Sequence, residues 1–355
     1  MGGTLWVLGS EKVRLSVIVP VYNVAPYLRG CLDSIVAAVE KCSGEVRATS
    51  EVEVICVDDG STDGSGEILD EYANRHQFFV GRHLPFNKGV SVSRNTALDS
   101  ARGDWVAFVD ADDEVSEDWF ANALGVIEAH PESDLVHFKT IVSIWNEKDR
   151  TVAVASAKRE KVRPPSGYVG GCAREHALNI FAREGWPVRN FIRRSCLEGV
   201  RFSDGLRIKE DVVFFLEVAL SLKTMVTTDY PGYFYTRREG SAVMRRRKDA
   251  DSVAFGNALL ELGRRYQAED LWRAITVAQG YDFVQWADER DPSEPYDVEH
   301  CAIRDVWRRL LREGGDHLSE MYFWWRIAIR HWLKTGDLSW AHRIRRAREW
   351  MGRFI

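Results

Sequence analysis

The chain has 355 residues, of which 45% are hydrophobic and 28% are charged, and this composition excludes an intrinsically disordered protein. The formal net charge of -5 gives no reason to expect a nucleic-acid partner. The length predicts one large domain together with a smaller one.

Cysteine usage and hydropathy indicate the compartment. The 6 cysteines are scattered, without a CxxC pair or zinc-finger spacing, which predicts free thiols in a reducing compartment. Apolar runs stay well short of the roughly 20 residues of a membrane-spanning helix. The first residues, MGGTLWVLGSEK, lack the basic start and long apolar core of a secretory signal. We therefore expect a cytoplasmic protein.

Strands and helices are predicted to alternate from about residue 14 onward. The predicted strands are 15–21, 53–59, 78–84, 104–110 and 134–145. The predicted helices between them are 26–40, 61–73, 89–101 and 116–130. Strand-then-helix repeats of this spacing predict an α/β fold with a mostly parallel sheet flanked by helices.

The second half of the chain is predicted to be less regular and then helical. A basic loop at 157–168 precedes helices near 172–184 and 210–222 and a strand at 233–237. After roughly residue 245 only helical patterns are found. The predicted organisation is an N-terminal tail at 1–13, a domain at 14–245 with halves 14–141 and 142–245, and a helical domain at 246–355.

Polar clusters follow the carboxyl ends of predicted strands, where open parallel sheets bind ligands. In VDDGSTDGS, Asp58 or Asp59 could accept hydrogen bonds from a base N–H or a ribose hydroxyl, or the segment could be a capped strand–turn–helix. In NKGVSVSRN, Lys88 and Arg94 flank a helix N-terminus, which favours anions. Solvated basic side chains are the alternative for this second segment.

The segment FVDADD places two carboxylates, Asp110 and Asp112, on either side of the small Ala111 at a strand end. Hard oxygen ligands of this kind suit Mg²⁺ or Mn²⁺, which takes further ligands from a substrate diphosphate. The alternative is a solvated acidic turn that caps the helix starting near Ser116.

The segment IKEDVVFF starts an apolar helix with Glu210 and Asp211. Acidic residues in a first helical turn are often partners of the helix dipole. The functional interpretation is a general base at the sheet edge.

In order and approximate spacing, these segments resemble the family 2 glycosyltransferases, which are inverting enzymes with a GT-A fold. The matching segments are LSVIVPVYN (15–23), VDDGSTDGS (57–65), NKGVSVSRN (87–95), FVDADD (108–113), IKEDVVFF (208–215) and YFYTRREGS (233–241). The resemblance covers roughly residues 14–241 and implies a nucleotide-sugar half at 14–141 and an acceptor half at 142–245. Relatives of this layout often build capsule, lipopolysaccharide or other surface glycans. The resemblance also implies a UDP-sugar as donor and a glycan or a lipid-linked molecule as acceptor.

The resemblance also implies roles for individual residues. The residues expected to bind the donor are Pro20, Tyr22, Asn23, Asp58, Asp59, Lys88, Arg94, Asp110, Ala111, Arg237 and Ser241. Asp112, with Asp110, would hold Mn²⁺ or Mg²⁺ on the diphosphate. Asp113 is interpreted either as a residue that supports these ligands without touching the cation or as a local structural residue. Asp211 is the expected catalytic base, with Glu210 beside it.

One segment departs from the family pattern. Relatives often carry a Trp-Asn-Lys-like segment before the base, whereas this chain reads WPVRNFIRRS, so Arg189 and Asn190 are only candidates for acceptor contacts. A catalytically inactive nucleotide-sugar-binding or scaffold protein is the alternative function. A dinucleotide-dependent oxidoreductase is disfavoured because the turn after the first strand, PVYNVAP, lacks GxGxxG.

The C-terminal segment 337–355 has an apolar face and many arginines at helical spacing. A basic amphipathic helix of this kind suits the surface of an anionic membrane, at the inner face of the cell membrane. The alternative is packing against the catalytic domain or against a second subunit in a homo-oligomer.

Overall fold

The structure is a computed structural model that describes most of the chain. The described residues are 13–42, 51–139, 141–144, 152–155, 167–170, 172–183, 185–236, 249–288, 298–320 and 323–335. The chain divides into two compact units. The first comprises Met1–Cys172, Pro187–Arg201 and Leu222–Arg238, and the second comprises Ala173–Trp186, Phe202–Ser221 and Glu239–Ile355. This division differs from the predicted boundary near residue 245, because two earlier segments join the C-terminal helices.

In the part of the chain that the structure describes, the first unit contains the strands and four α-helices. The strands are β1 (Leu15–Val21), β2 (Val52–Asp58), β3 (Phe79–His83), β4 (Trp105–Phe108), β5 (Glu114–Val115), β6 (Leu135–Phe138), β7 (Ile141–Ile144), β8 (Val152–Ala155), β9 (Gly167–Gly170), β10 (Asn190–Arg193), β11 (Thr224–Thr228) and β12 (Tyr233–Thr236). The helices are α1 (Ala25–Cys42), α2 (Ser65–Arg75), α3 (Val90–Leu98) and α4 (Trp119–Ala129).

These strands form two sheets. The larger is eight-stranded in the order β3-β2-β1-β4-β10-β6-β11-β9. Only β10 and β9 run against the other six strands, because both pair antiparallel with their neighbours. The smaller sheet has the order β5-β12-β7-β8. The predicted α/β fold with a mostly parallel sheet is confirmed.

The fifth predicted strand, 134–145, is in fact two strands. Its first part, β6, pairs with β10 and β11 in the large sheet. Its second part, β7, pairs with β12 and β8 in the small sheet. The apolar run is long enough for both strands, and hydropathy alone does not show where a chain passes from one sheet to another.

The core of the first unit follows from the apolar patterns. Every residue of β2 is buried, as expected for a strand covered on both faces. Helix α1 buries Leu28, Leu32, Ile35 and Val39 on one stripe, which is the spacing of an amphipathic helix packed on a sheet.

Among the described residues of the second unit, every regular element is a helix. Its helices are α5 (Ala173–Phe181), α6 (Glu210–Ala219), α7 (Asp249–Tyr266), α8 (Glu269–Asp288), α9 (Val298–Gly314) and α10 (Phe323–Thr335). Large buried aromatic side chains, among them Phe283, Trp307 and Trp332, form a core between these helices. Within the described helices, none combines the length and hydropathy needed to cross a bilayer.

Several predictions concern residues that the structure does not describe. Apart from Val13, the predicted N-terminal tail at 1–13 lies outside the described residues, and so does the basic segment 337–355. The prediction of free thiols is confirmed for the cysteines that can be assessed. These are Cys31, Cys42, Cys56, Cys172 and Cys196.

Candidate active site

The loop after β1 is tied to the turn after β2 through Asn23. Its backbone is left-handed, with φ of 46°, a conformation that asparagine tolerates better than most residues. The side-chain Oδ1 of Asn23 accepts a hydrogen bond from Thr62 N–H at 2.8 Å, and its own N–H donates to Ser61 Oγ at 3.0 Å. The predicted donor residues Tyr22 and Asn23 therefore lie beside the Gly/Ser turn, while Pro20 is half-buried at the end of β1.

Asp58 is buried at the carboxyl end of β2, where its carboxylate has two partners. Ser61 N–H donates to Oδ1 at 3.0 Å, and Nδ1 of His83 lies 3.1 Å from Oδ2. The other ring nitrogen of His83 lies 3.0 Å from Oδ1 of Asp70. The hydrogen bond with Asp58 is the main cause that raises the pKa of His83. His83 is not among the predicted residues, although its place at the end of β3 puts it at the same sheet edge.

Asp59 is buried, and its carboxylate binds the backbone that leads into α3. Its two oxygens accept hydrogen bonds from Lys88 N–H at 2.7 Å and Gly89 N–H at 2.8 Å. Asp59 therefore orients the start of α3, which agrees with a supporting role beside Asp58. The Lys88 ammonium lies 5.2 Å from the ring centroid of Phe86, an exposed side chain.

Arg94 and Asp110 link α3 to the end of β4. The Arg94 guanidinium is buried, and its Nη2 lies 3.2 Å from Oδ1 of Asp110, whose side chain is 36% exposed. Burial of an arginine next to a carboxylate fixes the position of both groups. The structure thus places Arg94 and Asp110, two of the predicted donor-binding residues, in direct contact, and Ala111 is buried beside them.

Asp110 and Asp113 form the ends of a tight turn, because Asp113 N–H donates to the Asp110 carbonyl at 3.0 Å. Asp113 is buried and accepts hydrogen bonds from the Tyr233 hydroxyl at 2.7 Å and from Thr236 N–H at 2.8 Å. Burial raises the pKa of Asp113 well above its ordinary value, and the nearby charges of Asp110 and Asp112 add to the rise. Both oxygens of Asp113 are therefore engaged by donors of the protein itself.

Two carboxylates of this turn suit a divalent cation. The part of the chain that the structure describes has no group of three or more His, Cys, Asp or Glu side chains arranged to hold a metal ion. Mg²⁺ and Mn²⁺, however, commonly use one or two carboxylates and complete their shells with water and substrate phosphates. Asp110 and Asp112 are both partly exposed, whereas Asp113 is committed to protein donors. The residues present therefore fit a cation that binds together with a diphosphate.

Glu210 and Asp211 are the first two residues of α6, in the second unit. Oδ1 of Asp211 accepts a hydrogen bond from Val212 N–H at 2.7 Å. A Cβ atom added to Gly185 would lie 2.5 Å from Val212 N, so the backbone before Trp186 passes directly against the start of this helix. Only glycine permits such an approach.

Lys209 is the residue that directly precedes Glu210 at the start of α6. Its backbone is left-handed, with φ of 57°. Its Nζ lies 3.5 Å from Oδ1 of Asp282, which is buried in α8, and 5.3 Å from the ring centroid of Phe255 in α7. The start of α6 is therefore anchored in the interior of the second unit by a charged side chain.

The remaining predicted residues occupy other positions. Arg189 and Asn190 are buried in the first unit, and Oδ1 of Asn190 lies 2.8 Å from Nδ1 of His137. Asn190 thus bonds across neighbouring strands, and its predicted acceptor contact stays a prediction. Arg237 and Ser241 lie outside the described residues.

Comparison with known proteins agrees with this architecture. Residues 16–169 match the family model described as Glycosyl transferase family 2. The putative glycosyltransferase EpsH of Bacillus subtilis (strain 168) is 28% identical over 242 residues, covering 67% of this chain and 65% of that protein. Glycosyltransferase GlyA of Streptococcus pneumoniae serotype 4 is 42% identical over 106 residues, covering 30% of this chain and 14% of GlyA. The match thus spans less than two thirds of the length of either relative.

A solved structure extends the similarity to most of the chain. Staphylococcus aureus TarS 1-349 in complex with UDP has a TM-score of 0.69 at 19% identity, covering 93% of this chain and 89% of that chain. The same protein is also known in complex with UDP-GlcNAc. TarS itself is described as a poly(ribitol-phosphate) beta-N-acetylglucosaminyltransferase, and its sequence is 27% identical over 231 residues, 64% of this chain and 36% of TarS.

The structural similarity first gives the fold, which is of the GT-A type. Residues 16–169 are in turn similar to glycosyltransferase family 2. The resemblance predicted from the sequence motifs is confirmed.

Proposed function

We propose that this protein is an inverting, metal-dependent glycosyltransferase that moves a sugar from a nucleoside diphosphate sugar, with UDP as the nucleotide, to an acceptor hydroxyl. The observation that carries this proposal is a set of polar side chains at one edge of the large sheet, joined to one another by hydrogen bonds and an ion pair. There, Asn23 is bonded to the turn that begins at Asp58, and Arg94 is bonded to Asp110. Family 2 motifs alone predict these residues, and the structure brings them together in one unit.

The nucleoside would bind at the ends of β1 and β2. Among the described residues, each Asp58 oxygen has one hydrogen-bond partner, and a carboxylate oxygen can accept a further hydrogen bond from a base N–H or a ribose hydroxyl. The exposed ring of Tyr22 offers a stacking face for the base. The diphosphate would lie nearer Lys88 and the N-terminus of α3, where backbone N–H groups favour anions.

Asp110 and Asp112 are the groups that would hold Mn²⁺ or Mg²⁺. When bound, such a cation neutralises the charge that develops on a departing diphosphate. Arg94 holds one oxygen of Asp110 and so limits the directions in which that carboxylate can point.

Asp211 is proposed as the general base. Its carboxylate would take the proton of the acceptor hydroxyl as the new C–O bond forms on the face opposite the leaving diphosphate. General-base assistance of this kind contributes about 10²–10⁴-fold in rate. A single displacement inverts the anomeric configuration, and Glu210 beside Asp211 would contact the acceptor.

The pathway is proposed from the relatives. TarS is described as acting on poly(ribitol-phosphate). We accordingly propose a surface glycan or a lipid-linked precursor as acceptor, with transfer at the cytoplasmic face of the membrane.

The test is a donor screen with the full-length chain, in which release of nucleotide is followed for UDP-, GDP- and CMP-sugars. We expect turnover with a UDP-sugar in the presence of Mn²⁺ or Mg²⁺, and loss of turnover in EDTA. Asp211→Asn should lose turnover while its UDP affinity, measured by calorimetry, stays unchanged. UDP binding without turnover of any donor and acceptor would favour the alternative of an inactive nucleotide-sugar-binding protein. Normal turnover by Asp211→Asn would remove Asp211 from the role of base.

A further inference from the structure

We infer that Tyr233 and Asp113 are a positioning pair that fixes the direction of the carboxylates of Asp110 and Asp112, an inference that rests on the proposed function. Both members lie in the first unit and come from distant parts of the sequence, the turn between β4 and β5 and the start of β12. Neither is expected to touch the donor.

The hydroxyl of Tyr233 makes two hydrogen bonds of opposite sense. It accepts one from Asp110 N–H at 3.1 Å and donates one to Oδ2 of Asp113 at 2.7 Å. A single phenol oxygen therefore holds both ends of the turn that contains Ala111 and Asp112. The turn itself is closed by the hydrogen bond from Asp113 N–H to the Asp110 carbonyl.

The strand that carries Tyr233 is also bound to the turn through its backbone. Thr236 N–H, at the other end of β12, donates to Oδ1 of Asp113 at 2.8 Å. Strand β12 pairs with β5, in which Tyr233 lies opposite Val115, two residues after Asp113. The turn is thus held by its own side chain, by the phenol and by the strand pair that follows it.

Burial makes this arrangement stiff. Tyr233 and Asp113 are each only 1% exposed, and the Tyr233 ring packs edge-on against Trp119 at a centroid distance of 5.6 Å. In a dry interior, both groups must keep their hydrogen bonds, because water cannot replace a lost partner. The backbone of Asp110 and Asp112 is consequently held in one arrangement before any ligand binds.

The hydrogen bonds of Asp113 indicate that it positions the neighbouring carboxylates and is not itself a metal ligand. Both of its oxygens accept hydrogen bonds from protein donors, so it orients its neighbours and does not itself face a cation. Groups that orient metal-binding side chains typically change metal affinity or activity by about 10–100-fold when they are removed. Tyr233 and Asp113 should therefore influence how tightly Asp110 and Asp112 hold a cation.

The test compares Tyr233→Phe with Tyr230→Phe in the full-length protein. Tyr230 is a matched control. It lies three residues before Tyr233, between β11 and β12, and its hydroxyl also makes a hydrogen bond, with Ser116 Oγ at 2.9 Å. The dissociation constant of Mn²⁺ is measured by calorimetry in saturating UDP, and thermal unfolding is measured in parallel. We expect Tyr233→Phe to raise this constant by about 10-fold, Asp113→Asn to raise it at least as much, and Tyr230→Phe to leave it unchanged.

An unchanged constant in Tyr233→Phe would overturn the inference, and so would an equal rise in Tyr230→Phe. Failure of the proposed function is a separate result: a wild-type protein that binds Mn²⁺ and UDP but turns over no donor would refute transfer, while the comparison of the two tyrosine variants would still decide on positioning. A wild-type protein that binds no Mn²⁺ in the presence of UDP would overturn both.

Discussion

The imidazole of His83 is held by the carboxylate of Asp58, with 3.1 Å between Nδ1 and Oδ2, at the sheet edge where the base of a nucleotide would bind. Because its other nitrogen faces Asp70 at 3.0 Å, the ring lies between two acceptors and is favoured in its protonated form. The histidine therefore joins α2, β2 and β3 by charge as well as by hydrogen bonding.

This bridge predicts a pH-dependent contribution to stability. The pKa of His83 is raised in the folded protein, chiefly by the hydrogen bond with Asp58. A raised folded pKa means that the contribution is fully present below the unfolded value of about 6.5 and is lost as pH rises through the folded value. The difference in melting temperature between wild type and His83→Gln should therefore be largest at acidic pH and shrink toward pH 9.

The control for this prediction is His317→Gln. His317 lies in the second unit, so its variant measures the effect of losing a histidine outside this bridge. A His83→Gln difference that is constant from pH 5 to pH 9 would contradict the proposed proton linkage.

The sequence predicts local features of the site better than its long-range contacts. Strand ends followed by Asp, Gly and Ser are visible as patterns, so Asp58, Asp59 and Asp110 could be placed at one sheet edge without a structure. The bond between Tyr233 and Asp113 spans 120 positions of the chain. No local periodicity encodes such a pairing. His83 was not predicted either, because its contact with Asp58 joins residues that are 25 positions apart.

The division of the chain into two units could not be predicted from the sequence either. Helical periodicity predicts α5 and α6, but it does not show which helices they pack with. In the second unit, Arg174 of α5 is bonded to Asp270 of α8, and the Tyr266 hydroxyl of α7 donates a hydrogen bond to Glu217 of α6 at 2.7 Å. Contacts of this kind, made by helices far apart in sequence, group 173–186 and 202–221 with the C-terminal helices.

The ion pair between Lys209 and Asp282 in the second unit predicts that Asp282→Asn is both less stable and less active. Asp282→Asn removes the negative charge that lies 3.5 Å from the partly buried Lys209 ammonium. Removing one member of a buried ion pair costs about 3 kcal/mol. Because Lys209 precedes Glu210 and Asp211, kcat should fall while the affinity for UDP stays constant.

Asp270→Asn provides a matched control. This aspartate is bonded to Arg174 in the same unit, but both side chains are 38% exposed. An ion pair so exposed contributes about 1 kcal/mol at most, so the variant should unfold near the wild-type midpoint and keep its kcat. Urea unfolding and initial rates check both variants, and an equal kcat in wild type and Asp282→Asn would show that Lys209 does not position the base.

Two glycine substitutions should have opposite effects on stability. In Gly185→Ala the new Cβ would lie 2.5 Å from Val212 N, and the backbone of α6 must move to relieve the contact. Overpacking of this kind costs about 1–3 kcal/mol. In Gly125→Ala, inside α4, the new Cβ meets no atom within 4 Å, so the higher helix propensity of alanine should stabilise the protein by about 0.5–1 kcal/mol.

Urea unfolding of both glycine variants measures these free energies, and nucleotide release measures their activity. Because Gly185 lies against the start of the helix that carries Asp211, its alanine variant should also lose kcat. A Gly185→Ala protein with wild-type stability would mean that the backbone there can move without cost.

The basic C-terminal segment, 337–355, predicts binding to anionic membranes. It lies outside the described residues, so the prediction depends on its sequence alone, in which arginines alternate with an apolar face that contains Trp340 and Met351. Full-length protein should float with vesicles that contain anionic lipid, and a chain ending at residue 336 should not. Neutral vesicles and 1 M salt are the controls, because electrostatic attraction to lipid weakens with both. If the full-length chain stays with the unbound fraction, and removal of the segment lowers thermal stability or dissociates an oligomer, the apolar face packs against protein instead.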